Sequence, residues 1–255
     1  MHGIVSRLAM AAGLGVACWM PPLACAAGEG KSVEIWAKAG ITISPEGSIT
    51  ALQWDGPDKP ALAAVRAAIE PGIRKLQFEP GRLDGIATET ETTLSLRLEV
   101  SEGANHDWAI RVLDASTGAA AIEQGPPAYP VSALRAGHEA EVVSEIEVDG
   151  EGRVTLLDAS FRGSGRRDPS RQAFLDASAA AVDGWKYRVE RVGGHPVAAR
   201  MSVPIQFCIE ASRRPWCDGS EGKTRTANGR TAPLGEAIAL DSVARLRTDL
   251  AGFGI

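Results

Sequence analysis

Three groups of residues in this chain are typed and spaced as if for chemistry. Gly219, Gly222, Lys223 and Thr224 read like the end of a phosphate-cradling loop, but the first glycine of G-x-x-x-x-G-K-[ST] would fall at Cys217, and no strand is expected just before it. The stretch reads as linker. Ser164 sits between Gly163 and Gly165 yet has Arg162 where a nucleophile elbow needs glycine, so it reads as a loop serine. His106, His138 and His195 fall on turns and a linker, with no His-x-x-x-His or Cys-x-x-Cys spacing. No catalytic residue, metal site or cofactor is expected, and no small-molecule substrate is evident.

Cys208 and Cys217 are different. Residues 1–26 carry Arg7, an apolar run from Leu8 and an Ala24-Cys25-Ala26 cleavage signal, the build of a secretory signal peptide with a mature start at Ala27. An uncleaved inner-membrane anchor and a lipoprotein on Cys25 are the alternatives, the first disfavoured by Pro21-Pro22 and the second by Pro22 where lipidation signals usually have Leu. After cleavage only Cys208 and Cys217 remain, and an even pair in an exported chain is expected to be a disulfide. The chain has 255 residues, 44% hydrophobic and 23% charged, with net charge −5, enough for two small cores. That acidic balance, with no basic arm, argues against a nucleic-acid partner.

The elements that would position such residues are clearest over 126–209. Val142, Ile146 and Val148 alternate before an Asp149-Gly150-Glu151-Gly152 turn, and Val154 and Leu156 resume the alternation, which predicts a half-buried hairpin. Asp168-Pro169 then reads as an N-cap with proline at the first helical position, Phe174, Ala177 and Ala181 as the helical stripe, and Gly184 as its stop. Residues 198–209 read as a final strand.

The order of Tyr129-Pro130, the turn through Gly152 to Arg153, an Ala-rich helix ending in Trp185-Lys186-Tyr187, Gly194-His195-Pro196-Val197 and Val203-Pro204-Ile205-Gln206-Phe207 resembles the C-terminal domain of the TonB family. These are periplasmic energy transducers of Gram-negative envelopes. Ala140 stands where the family usually has Gly, and Val189 where it usually has Pro. The resemblance implies a small α+β domain that grips a segment of an outer-membrane receptor by adding it as a strand. Its docking edge would be Ala198, Arg200, Ser202, Val203, Pro204, Ile205, Gln206 and Phe207.

An internal repeat extends this fold class to two tandem TonB C-terminal-like modules, each a small antiparallel sheet of hairpin, helix and final strand with the helix packed on it. Over 31–101, Ile41 and Ile43 precede a Pro45-Glu46-Gly47 turn, Asp58 caps a helix carrying Leu62, Val65 and Ile69, and Pro71-Gly72 stops it. Leu76, Phe78 and Gly85 match Trp185, Tyr187 and Gly194 at one constant offset, as Leu94, Leu96 and Leu98 match Val203, Ile205 and Phe207. The second module spans 126–212 and carries an insertion near Arg162, Arg166, Arg167 and Arg171, which reads first as a solvated loop balanced by Asp158, Asp168 and Asp176, with contact to an acidic partner or anionic envelope surface as the alternative. Residues 102–125 read as a connecting hairpin and linker, and 213–255 as a polar linker with a short terminal helix on Ile238, Val243, Leu246 and Leu250.

The functional expectation is a periplasmic, non-enzymatic interaction protein whose partner is an outer-membrane receptor or another envelope protein. The alternatives are a structural envelope protein that uses the modules to form a homodimer, and an anchored transducer if the N-terminus is retained.

Overall fold

The structure, a computed structural model, describes residues 32–56, 60–102, 108–163, 168–210, 212–218, 224–227, 230–233 and 236–250. The expected signal segment, Asp58, His106, Ser164, Arg166, Arg167 and 219–223 lie outside the described residues. In chain order, β1 (Ser32–Ile43) and β2 (Ile49–Trp54) make a hairpin, followed by α1 (Pro60–Ile73), β3 (Phe78–Glu79), β4 (Arg82–Leu83), β5 (Ile86–Ala87) and the long β6 (Thr90–Glu102), which runs back along β1. Next come β7 (Trp108–Gly118), β8 (Ala120–Glu123) and α2 (Val131–Ala136). The second hairpin, β9 (Ala140–Val148) with β10 (Val154–Gly163), precedes α3 (Arg171–Val182), β11 (Lys186–Arg188), β12 (Glu190–Val192), β13 (His195–Val197) and β14 (Ala199–Phe207). The chain continues through α4 (Pro215–Asp218), β15 (Thr224–Ala227), β16 (Arg230–Pro233), β17 (Ile238–Ala239) and β18 (Arg245–Leu246).

The first sheet has six strands, β2-β1-β6 with both β7 and the β12–β13 pair along the outer side of β6, and the second runs β10-β9-β14-β17, all antiparallel. Strand alternation decides which side chains meet the helix on each sheet. In the first, Ala39, Ile41 and Ile43 of β1 join Leu94, Leu96 and Leu98 of β6 in one core with Ile69 and Ile73 of α1. That helix runs through Pro71, past its expected stop. Ile69 and Ile73 lie one turn apart and are both fully buried, and a proline in the last turn forfeits only one backbone bond.

The second core joins Val142, Ile146 and Val148 of β9, Met201, Val203, Ile205 and Phe207 of β14, and Phe174 and Val182 of α3. Tyr129 meets Phe174 and Phe207 edge-on, at centroid distances of 5.8 and 5.6 Å. Trp185 and Tyr187 are core aromatics, each 3% exposed. The helix starts at Arg171 with Ser170 at its N-cap, later than the sequence suggests, because Asp168 instead uses Oδ1 to accept from the Ser170 N–H at 2.9 Å. Its buried stripe is Phe174, Ser178 and Val182, a four-residue spacing, while Ala177 and Ala181 are only half-buried.

The hairpin turns of the two sheets share one device. Gly152 has φ +80°, and a Cβ there would lie 2.3 Å from the Tyr187 carbonyl oxygen; Gly47 has φ +96°, and its Cβ would lie 2.1 Å from that of Phe78. Only glycine fits either place. The glycine carbonyls accept from the Tyr187 N–H at 3.2 Å and the Phe78 N–H at 2.9 Å, tying each turn to the strand after its helix.

Two expected elements are replaced. β7 and β8 do not pair with each other as a connecting hairpin. β7 lies along β6 over residues 93–102, and β8 crosses to pair with β11. Nor is there a helix over the described part of 233–250. Ile238 and Ala239 pair with β14, and Arg245 and Leu246 pair with β3. In both cases unpaired strand edges capture a short apolar segment whose local spacing does not name its partner. The result is an exchange of arms. Ala119, just before β8, enters the second core, and Ala244, just before β18, is fully buried in the first.

Candidate partner-binding edge

Pro204 and its neighbours make the candidate site, because a strand interior that includes proline needs a side with no donor to satisfy. β14 pairs along its whole length with β9, Pro204 opposite Val143. Residues of one strand send N–H and C=O to alternate sides. The Leu240 N–H donates to the Arg200 carbonyl at 2.7 Å, and the Arg200 N–H donates to Asp241 Oδ1 at 2.8 Å, which puts the main-chain groups of Arg200 on the side away from β9. Those of Ser202, Pro204 and Gln206 therefore face the same way, and the missing donor of Pro204 falls where β9 does not need it.

That outer side is occupied only at one end. β17 pairs with Met201 and Ser202, and among the described residues no strand pairs with 203–207 on this side. The inward side chains of Ala199, Met201, Val203, Ile205 and Phe207 are buried in the core, and Arg200 is exposed. Ser202 and Pro204 are buried too and Gln206 is half-buried, so what the strand has to offer an extended peptide is main chain, with the Gln206 N–H as the donor beyond the proline.

The far end of the strand is fastened. Cys208 and Cys217 form the expected disulfide, Cα atoms 5.7 Å apart, which folds α4 back towards the end of β14. Trp216 is buried there beneath the Arg162 guanidinium, 4.5 Å from the ring centroid, and Arg162 also pairs with Glu141 at 2.8 Å. Glu139 accepts from the Ile209 N–H at 2.8 Å.

The other motif residues build the fold and do not join the edge. Tyr129 donates its hydroxyl to the His138 carbonyl at 2.6 Å, and burial first, then the Glu139 charge, pushes its phenol up. Pro130 is the N-cap of α2, and Gly194 sits at φ +77° in the β12–β13 turn. The Trp185 indole N–H donates to the Gly125 carbonyl at 2.8 Å, and burial alone pushes up the Tyr187 phenol. His138 lies 2.9 Å from Ser170 Oγ, while His195 begins β13, so the histidines do not converge. Among the described residues no group of three or more His, Cys, Asp or Glu could hold a metal, and no helix is long and apolar enough to cross a membrane.

Sequence reading missed Glu190. It is 2% exposed and accepts from Thr92 Oγ1 at 2.7 Å, Ser242 Oγ at 2.7 Å and the Val243 N–H at 3.0 Å, joining the β12–β13 pair to β6 and to the C-terminal segment. Arg188 adds a second link, to Asp55 at 2.6 Å and Thr93 at 3.0 Å. Both lie in a charged run, Lys186 to Arg191, in which nothing distinguishes a buried charge from a solvated one.

Residues 125–209 match the family model described as Gram-negative bacterial TonB protein C-terminal. Two curated relatives, both named Protein TonB, from Xanthomonas campestris pv. campestris strains B100 and ATCC 33913, are 34% identical over 97 residues. The match covers 38% of this chain and 41% of each relative's length. Among solved structures, the solution NMR structure of the Pseudomonas aeruginosa TonB CTD is 24% identical, with a TM-score of 0.29, covering 37% of this chain and 90% of that one. By the family model and the curated relatives, it is residues 125–209, the segment that holds α2, the second hairpin, α3 and β14, that carry the TonB C-terminal domain family.

Proposed function

We propose that this chain is a TonB-like envelope protein that acts in the periplasm and takes an extended segment of a partner, an outer-membrane receptor first of all, as a further strand along β14. The observation that carries this reading is the outer side of residues 203–207, left without a strand neighbour among the described residues and turned outward at Gln206. The family of residues 125–209 supports it. The first sheet, with the same element order and the same glycine device, is a degenerate sister copy. The outer side of its β6 is filled by β7 and, at Thr90 and Glu91, by β12, so it offers no equivalent edge there.

The test uses synthetic peptides of about ten residues, tiled over the periplasm-facing segments of outer-membrane receptors, with binding followed by amide shifts. A binder should move the Ser202 and Gln206 amides. Gln206→Pro, which removes the outward donor, should weaken it on the order of tenfold, as the loss of one well-made hydrogen bond does. Binding that leaves β14 unshifted, or that ignores Gln206→Pro, would overturn the reading.

A further inference from the structure

The edge assigned to the partner is already partly taken by the chain itself. β17 pairs with only Met201 and Ser202, but it is continuous with a segment held firmly elsewhere. Ser242 and Val243 are bound by Glu190, the Ala244 carbonyl accepts from Thr117 Oγ1 at 2.6 Å, and Ala244 is fully buried in the first core. Beyond it, β18 pairs with β3, and the Gln77 N–H donates to Thr248 Oγ1 at 2.8 Å. On β14 the hold is the two-residue ladder, the Leu240–Arg200 and Arg200–Asp241 bonds and the burial of Ile238 and Ala239, while on the first sheet it extends from Ser242 to Thr248.

We propose that residues 238–241 are a tethered stand-in for the partner strand, that a partner using the whole β14 edge must displace them, and that the first module serves to anchor this competitor. This rests on the reading of β14 as the docking edge. A two-residue ladder would not persist from free solution. Fixed a few residues away by buried contacts, it competes at high effective concentration.

The stand-in also states what a displacing partner must offer. It runs antiparallel to β14, with a small residue opposite Met201 where Ala239 joins the second core and a branched apolar residue opposite Ser202 where Ile238 is 3% exposed. Two positions beyond the small residue comes a carboxylate, where Asp241 accepts from the Arg200 N–H. The partner class is an extended peptide of pattern apolar, small, any, acidic, read from N- to C-terminus.

The experiment frees the strap at β14 while leaving its anchor. Leu240→Pro removes the donor to Arg200, and Asp241→Ala removes the acceptor without perturbing the backbone, so one variant serves if the other misfolds. The probe is a fluorescent peptide of residues 236–243, EAIALDSV. It should bind either freed protein on the order of tenfold more tightly than the unaltered chain. The same peptide with Ala239→Trp should not bind. Receptor-derived peptides should gain by a similar factor. If EAIALDSV binds freed and unaltered chains alike, or neither, the stand-in is refuted. If receptor peptides bind but gain nothing from freeing, the docking edge stands and the competitor falls. If EAIALDSV gains and receptor peptides bind neither form, the competitor stands and the receptor reading falls.

Discussion

The two sheets differ most in what lies beyond their last strand. In the first, β7 follows β6 over residues 93–102 and β12 takes Thr90 and Glu91, leaving no gap longer than one residue. In the second, β17 holds Met201 and Ser202 alone. An unpaired edge is a liability for a soluble protein, and covering it is the ordinary remedy. The contrast teaches that the outer side of β6 is covered by its own chain while that of β14 is covered only in part, the form a site for a foreign strand would take. The same contrast divides the labour, with the first sheet providing the buried footing from which β14 is partly covered.

The comparison breaks most visibly if the units prove independent. Phe78 and Phe174 are fully buried in separate cores, and each truncation to alanine should cost about 3–5 kcal/mol. Because each core also receives an arm from the other unit, calorimetry should show one transition that falls as a whole for either variant. Two transitions, only one of which moves, would mean that the exchanged arms carry no cooperativity.

The glycine device allows a sharper test. Gly47→Ala and Gly152→Ala place a Cβ against a carbonyl oxygen at positive φ, and each should cost about 2–3 kcal/mol by denaturant unfolding. A loss at one glycine only would mean that the turns are alike in outline but not in constraint.

The smallest effect separates the turns by acid. Asp149 Oδ1 accepts from the Glu151 and Arg153 N–H groups at 2.8 and 3.0 Å, whereas in the first turn Ser44 Oγ accepts from Glu46 and Ser48 at 3.3 and 3.4 Å. The Arg153 backbone bond foremost holds Asp149 below its ordinary 3.8, and the Ser44 hydroxyl foremost holds Glu46 below 4.5. A depressed carboxylate stabilises fully above its ordinary value and loses that contribution as pH falls through its native one. Both turns therefore weaken in acid, but only the second loses the acceptor that organises it. Amide exchange should rise more at Glu151 and Arg153 than at Glu46 and Ser48 as pH drops below 3.8. Equal rises would show that the two acceptors are interchangeable.

Much of the second unit was legible in the sequence because its signals are local. Alternation over Val142 to Val148, the glycine of the turn, the aromatics after the helix and the even cysteine pair each declare themselves within a few residues. The constant offset from Phe78 to Tyr187 pointed to matching positions, and these make the same bond to a turn glycine. What stayed hidden depends on which distant edge a short segment finds. The spacing of Ile238, Val243, Leu246 and Leu250 suits a helix, yet Ile238 is used opposite Ser202, and Leu246 opposite Phe78. Leu157 was unreadable for another reason. The register of β10 against β9 slips between Leu156 and Asp158, so alternation is broken there and Leu157 is left 46% exposed. The final strand was legible, but not that β17 lies beside part of it, since residues 199–207 carry no trace of what lies next to them.

The contact between Gln77 and Thr248 joins positions 171 apart, and with Ala244 it puts a segment that follows the second sheet in sequence into the core of the first. Synthesis delivers a polypeptide from its N-terminus, and domains ordinarily fold in that order as they emerge. Here the unit that emerges first lacks a piece encoded well downstream of the second hairpin. Until β18 and Ala244 have been made, the first core has a gap at the Ala244 position and β3 has no partner strand. Folding of the first sheet is therefore coupled to synthesis of a segment that follows the second.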